Sequence, residues 1–208
     1  MKKSLTLFAI IFATLINAQK QIYEADNLNQ IVAKHKTVAI LPFLTTITYR
    51  KQPKGFSAEA NRQQEISTAK SIQSSMYTFL LRKRKNYSVE FQDVEKTNIL
   101  LKKAGAENKL DELTKDEVCK ILGVDAVISG RFDNEQTKSD GAALTSVLFT
   151  GFGGKTGSAT LTMVLNDGAS GDMVWRFYKT MNDNYTRSTD DLIESLMRKL
   201  SRNFPYDK

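Results

Sequence analysis

LTKDEVCKILGVDAVISGRF, residues Leu113 to Phe132, reads as a capped helix, a glycine stop and a strand. Thr114 is an N-cap candidate with Glu117 three residues on, so each side chain can satisfy the other's orphan backbone N–H. Leu113 and Val118 stand where a hydrophobic staple closes the first turn. Val118, Ile121 and Leu122 form a short apolar stripe at helical spacing. Gly123 follows as a C-cap that takes a positive φ at little cost. Val124 to Gly130 is a nearly unbroken apolar run too short for a helix, which predicts a strand covered on both faces. A helix feeding a buried strand is half of an α/β layer.

The flanking sequence extends that layer. Thr37 to Phe43, TVAILPF, is a β-branched strand closed by Pro42. Leu44 to Gly55 reads as a loop. Ser57 to about Leu81 predicts the longest helix, with Ile66, Ala69, Ile72, Met76 and Phe79 or Leu80 on one face. Its basic end, Arg82 to Lys85, suits the negative pole of a helix dipole, and an acidic polymer is the alternative partner for that run. Tyr87 to Phe91 is an alternating strand, and Asp93 caps a helix that stops at Gly105. After Asp133 to Gly141, read as a polar loop, Ser158 to Leu165 and Met173 to Lys179 alternate around the turn cluster NDGASGD and form a hairpin. Trp175 and Phe177 share one face of it. A last helix starts near Ser188 or Thr189 and frays at Phe204-Pro205. The order β-α-β-α-α-β-hairpin-α is an α/β (α+β) fold, a mixed sheet with flanking helices.

The 208 residues suit one domain. Met1 to Ala18 has a charged start (Lys2-Lys3), an apolar middle (Leu5 to Ile16) and a small residue at the cut, the parts of a secretory signal. Gln19 to Lys36 follows as an N-terminal linker or short helix, and residues 37–204 form a single domain with an apolar, Gly-rich insertion at 141–157. With no cysteine near the cut, the protein is expected to be exported, periplasmic and not lipidated there, with association at the outer membrane open. Loss of Lys2 and Lys3 lowers the formal charge of +7 by two. That balance is compatible with an acidic partner and requires none; a solvated basic surface accounts for it, and no nucleic acid is expected.

Catalytic patterns are absent from the sequence. Gly154-Lys155-Thr156 resembles the end of a phosphate loop, but Phe149 stands where the first glycine belongs, and an alternating strand follows instead of a helix. The acidic pairs Asp111-Glu112, Asp116-Glu117 and Asp190-Asp191 sit at helix starts, where negative charge is favourable in any case. No His/Cys spacing fits a metal. Cys119, the lone cysteine, falls near the buried side of its helix, and the lone histidine, His35, is no evident partner for it. No catalytic, cofactor or metal residue is assigned, and no enzyme activity is expected.

The run Ala142 to Phe152, AALTSVLFTGF, carries the functional expectation. Leu144, Val147, Leu148, Phe149 and Phe152 are its candidate contacts with a partner or a membrane. Membrane strands need about 9–11 residues, and the limbs Ala142–Gly151 and Gly157–Asn166 are about that long. A single hairpin leaves its edges unsatisfied in lipid, so spanning requires a closed oligomeric barrel. The alternative is an edge hairpin or packed loop of the domain.

Taken in order, Val38-Ala39-Ile40-Leu41-Pro42-Phe43, Leu122 to Gly130 (LGVDAVISG) and Asp167 to Trp175 (DGASGDMVW) resemble a bacterial envelope superfamily. It is the curli-secretion-channel-like group, with the lipoproteins that activate penicillin-binding proteins and the N-terminal domain of the Tol-system propeller protein. The resemblance covers roughly Thr37 to Leu200. It implies an exported, non-enzymatic accessory protein that binds another envelope protein in support of secretion or cell-wall assembly, with a homo-oligomer or outer-membrane contact in view. The alternative it implies is a membrane-inserting subunit of an oligomeric outer-membrane secretion channel. Family members commonly carry a lipidated cysteine after the signal, and this chain has none there. Only one of the two membrane hairpins of the channel members has a counterpart in length.

Overall fold

The computed structural model describes residues 20–107, 109–136, 156–181, 189–200 and 203–208. The assigned signal, 1–18, lies outside them, as does the insertion at 141–157 except for Thr156 and Gly157.

The elements run β1 (Lys20–Glu24), α1 (Leu28–Val32), β2 (Thr37–Ile40), β3 (Leu44–Tyr49), α2 (Ala58–Arg82), β4 (Glu90–Phe91), α3 (Val94–Lys103), α4 (Lys115–Leu122), β5 (Ala126–Gln136), β6 (Thr156–Asp167), β7 (Met173–Met181) and α5 (Thr189–Leu200). The strands make one mixed sheet in the order β1-β7-β6-β5-β2-β4. The ladders β1–β7, β7–β6 and β6–β5 are antiparallel; β2 pairs parallel with both β5 and β4. β3 also runs parallel to β5, so β2 and β3 lie end to end along one side of that strand. Pro42 falls in the break between them, where its missing N–H costs no ladder bond.

The α4–β5 unit forms as its sequence predicts. Glu117 Oε2 accepts the Thr114 N–H at 2.9 Å, and Gly123 adopts φ 64°. Ser57 and Asp93 cap α2 and α3 by accepting from Ala60 and Lys96 N–H groups. α2 buries Ala69, Ile72, Met76, Phe79 and Leu80, while Ile66, assigned to that face, turns outward. At its basic end Lys83 Nζ lies 4.8 Å from the Phe79 ring centre, and Arg82 pairs with Glu194 at 3.3 Å.

Two cores flank the sheet. The larger packs α1, α2 and α5 against Val38, Ile40, Ile128, Phe132, Leu161, Met163, Leu165, Trp175 and Phe177. The smaller packs Leu101 of α3 and Val118, Cys119 and Leu122 of α4 against Ala39, Leu41 and Val127. β5 is therefore apolar on both faces where it begins, as its unbroken run requires.

Four boundaries differ from the sequence reading. The segment 19–36, read as a linker or short helix, holds that short helix and also an edge strand. Leu44 to Tyr49 is a strand, not a loop, because its alternating Thr45 and Ile47 bury against β5. β5 continues through the supposed polar loop as far as Gln136. The C-terminal residues do not fray: Phe204 and Tyr206 are buried, Ser88 N–H donates to Tyr206 O at 2.9 Å, and Lys208 N–H donates to Asn86 O at 2.9 Å.

Cys119 is buried, and burial first, then the nearby Asp167 and Asp116 charges, push its thiol up to about 12. It is a core side chain with almost no thiolate at neutral pH. A disulfide-exchange reagent should leave it unlabelled in native protein and modify it on unfolding in urea; fast native labelling would contradict this packing.

Candidate functional site

Residues of four distant segments meet at the end of the sheet where β2 and β5 begin. His35 is buried between Tyr206 and Asp167, with Nε2 2.9 Å from Asp167 Oδ1 and Nδ1 2.7 Å from the Tyr206 hydroxyl. An ionised carboxylate only accepts, so Nε2–H donates to Asp167, and Nδ1 of the neutral ring accepts the tyrosine O–H. Asp167 Oδ2 also accepts the Ser170 N–H at 2.9 Å. Beside it, Asp125 Oδ2 accepts the Lys36 and Thr37 N–H groups, each at 2.8 Å. The Gly168 N–H donates to Asp125 O at 2.8 Å, which ties the DGASGD turn to the GVD turn. Asp125 and Asp167, one from each signature motif, therefore bind backbone.

The Tyr–His–Asp chain has the connectivity of a catalytic relay but not its access. Tyr206 and His35 are both buried, and burial drives the Tyr206 hydroxyl pKa far upward. The hydroxyl has no route to a substrate and serves to hold the C-terminal segment. The aromatic packing around it is dense: Phe204 lies edge-on to Tyr87, Trp175 and Tyr206 at centroid distances of 5.5, 6.1 and 5.6 Å.

Burial raises the carboxyl pKa of both Asp125 and Asp167, and their hydrogen bonds outweigh it. The Thr37 and Lys36 N–H groups bring Asp125 below the usual range, and His35 and Ser170 do so for Asp167. A depressed folded pKa gives stability that is present above the unfolded value of about 3.9 and is lost as pH falls through the folded one. The urea midpoint should therefore drop as pH is lowered below about 4, with Asp125→Asn and Asp167→Asn each flattening the drop. An unchanged slope in both variants would refute the assignment.

Elsewhere the described residues offer surfaces instead of a reaction centre. One hollow of about 380 Å³ between α2 and α5 is lined by Ser74, Ser75, Thr78, Phe79, Arg82 and Glu194. Glu194 is held there by Arg82 and Arg198. Among the described residues no group of three His, Cys, Asp or Glu side chains could hold a metal ion. None of their helices is long and apolar enough to cross a membrane.

The broadest feature is a sheet face. α3 and α4 cover β2 and the start of β5. Beyond them, β1, β7, β6, β5 and β3 show a face whose side chains are half-buried or exposed. The registers align Tyr23, Arg176, Val164 and Ser129 in one row, and Gln21, Tyr178, Thr162, Arg131 and Leu44 in the next. Tyr23 and Leu44 are 49% and 51% exposed, and Arg176 lies 6.0 Å from the Tyr178 ring centre. Arg131 reaches Asp133 at 3.6 Å. Sequence reading missed this face; its only signal is the alternate Thr, Tyr and Arg positions of β6 and β7.

Leu144, Val147, Leu148, Phe149 and Phe152 lie outside the described residues. The second limb assigned to a membrane hairpin, Gly157–Asn166, is inside the sheet: β6 pairs with β5 on one side and β7 on the other, and buries Leu161, Met163 and Leu165. Its alternation serves the domain core.

No family model matches this chain, and no curated protein matches it. Among solved structures, it aligns with the PelC dodecamer from Paraburkholderia phytofirmans at 14% identity and TM-score 0.44, covering 92% of this chain and 100% of that one. Lipoprotein GNA1162 from Neisseria meningitidis aligns at 13% identity and TM-score 0.41, over 81% and 98% of the two chains. The C-terminal domain of LpoB from Escherichia coli aligns at 10% identity and TM-score 0.30, over 75% and 93%. A protein named as a lipoprotein is thus among those with which this chain aligns.

Proposed function

We propose that this chain is an exported, non-enzymatic accessory protein of the cell envelope that acts by binding another envelope protein. The observation that supports it most is the open five-stranded face. Its Tyr23, Tyr178, Arg131 and Arg176 are the residue types enriched at protein interfaces, set among threonines on a rigid sheet. The charged groups at the polar end of the sheet are committed to holding the fold. The signal-like residues 1–18 support export, and the apolar run 142–152 supplies further contact surface. The pairing of β6 with both β5 and β7 favours the accessory reading over a channel subunit.

The test is association. Replacing Leu144, Val147 and Phe149 together with Ser should abolish capture of envelope partners and flotation with liposomes, with the circular dichroism of the domain unchanged. Unchanged capture and flotation would remove that run from the contact surface. Fractionation separates the two readings of the whole protein. Recovery in a periplasmic extract fits the accessory reading, and recovery only as a large detergent-held ring would overturn it.

A further inference from the structure

We propose that a second copy of this chain pairs with the outer edge of β1, antiparallel and two-fold, centred on Ile22. β1 ends the sheet: among the described residues only β7 pairs with it. In an antiparallel ladder the N–H and C=O groups of alternate residues point to opposite sides. The Ala25 N–H donates to Val174 O at 2.9 Å, toward β7. Tyr23 and Gln21, two and four residues earlier, face β7 as well. The backbone groups of Lys20, Ile22 and Glu24 therefore point away from the sheet.

Those three residues are self-complementary. In Lys20-Gln21-Ile22-Tyr23-Glu24, a two-fold axis through Ile22 sets Lys20 opposite Glu24 of the second copy, Ile22 opposite Ile22, and Glu24 opposite Lys20. Every outward-pointing residue then meets another outward-pointing residue, so the hydrogen-bonding positions agree with the charge pattern. A register shift of one residue would oppose outward groups to inward ones and break both, and a shift of two would set Ile22 opposite Glu24. Within its own sheet β1 lacks this complementarity: Lys20 stands opposite Lys179, and Glu24 opposite Trp175. An edge lysine ordinarily discourages strand addition; here a glutamate four residues on supplies its partner in a second copy. Isologous pairing of this kind closes at two and joins the two open faces through adjacent Tyr23 and Gln21 residues. The inference concerns a second copy of this chain and does not depend on the partner-binding reading above.

Two measurements test it on the exported protein. Gln21→Cys protein is mixed with a mass-tagged Tyr23→Cys protein and oxidised mildly. The pairing places residues 21 and 23 of the two copies at a close, non-hydrogen-bonded position, so the mixed disulfide should dominate over both symmetric ones. Cys119, buried and un-ionised, does not compete. In sedimentation the unaltered chain should be a dimer. Lys20→Glu, which turns both cross-edge pairs into like charges, should weaken self-association by about tenfold. Lys20→Glu/Glu24→Lys should restore it. A monomeric unaltered chain, disulfides with no preference for the mixed pair, or a charge reversal that the double variant fails to restore would each overturn the proposal. Far-UV circular dichroism of every variant separates lost pairing from lost fold; if Lys20→Glu unfolds, the disulfide preference decides.

Discussion

A chain ending at Leu200 does not fold. The deletion removes Phe204 and Tyr206, which lie in the larger core against Tyr87, Phe91, Trp175 and His35. Removing a buried aromatic side chain costs about 3–5 kcal/mol, and two such losses reach most of the roughly 5–15 kcal/mol that holds a domain together. The deletion also leaves His35 Nδ1 without its donor and exposes the Tyr87–Ser88 backbone, which pairs with the C-terminal segment. The expected result is loss of near-UV circular dichroism and of a cooperative urea transition. Tyr206→Phe separates the two contributions. It keeps the ring and removes only the hydroxyl donor, so it should fold with a loss of about 1–3 kcal/mol. A truncated chain with the parent's urea midpoint would show that the segment merely lies on the domain.

The second large effect is expected at Gly130, where the central signature of β5 ends. A Cβ built there would stand 2.2 Å from Phe43 Cε1 and 2.6 Å from the backbone oxygen of Thr162. The phenyl ring can rotate, but the Thr162 oxygen belongs to the adjoining strand and can move only with the sheet. Overpacking in a core typically costs about 1–3 kcal/mol, and a backbone clash puts Gly130→Ala at or above the top of that range. Phe43→Ala alone should cost about 3–5 kcal/mol through the cavity it leaves. In the double variant the new methyl occupies part of that cavity, so the two losses should sum to less than their separate values. Strict additivity in urea unfolding would mean that Phe43 does not confine Gly130.

What was legible in the sequence was local. The Thr114–Glu117 box, the Gly123 stop and the apolar run into β5 lie within twenty residues, and each part's partner is a near neighbour in the chain. The hairpin of β6 and β7 declared itself for the same reason, through a turn cluster between two alternating runs. β1 could not be read that way. Lys20 to Glu24 has one clearly apolar residue, Ile22, and becomes a strand because β7, late in the chain, offers it a ladder. β3 hid behind Pro42, which marks a break within a line of strands and was taken for its end. Phe204-Pro205-Tyr206 looked like a frayed terminus because proline ends helices, while the rings on either side find their pockets among remote residues. The polar junction was the least legible. His35 and Asp167 are 132 residues apart, and nothing local to either says that they touch. Of the contacts assigned from sequence, the run 142–152 rests on composition alone, whereas the open face emerges only when five strands are set side by side.

Two contacts close the fold over long stretches of chain. β1 pairs with the last strand, β7, and Tyr206 closes onto His35 from 171 residues away. The β1–β7 ladder needs Met173–Met181, and the larger core needs Phe204 and Tyr206. Both contacts span most of the chain, and contacts of such sequence separation are slow to form. The first strand and the aromatic pocket beside His35 are thus among the last parts of the fold to set.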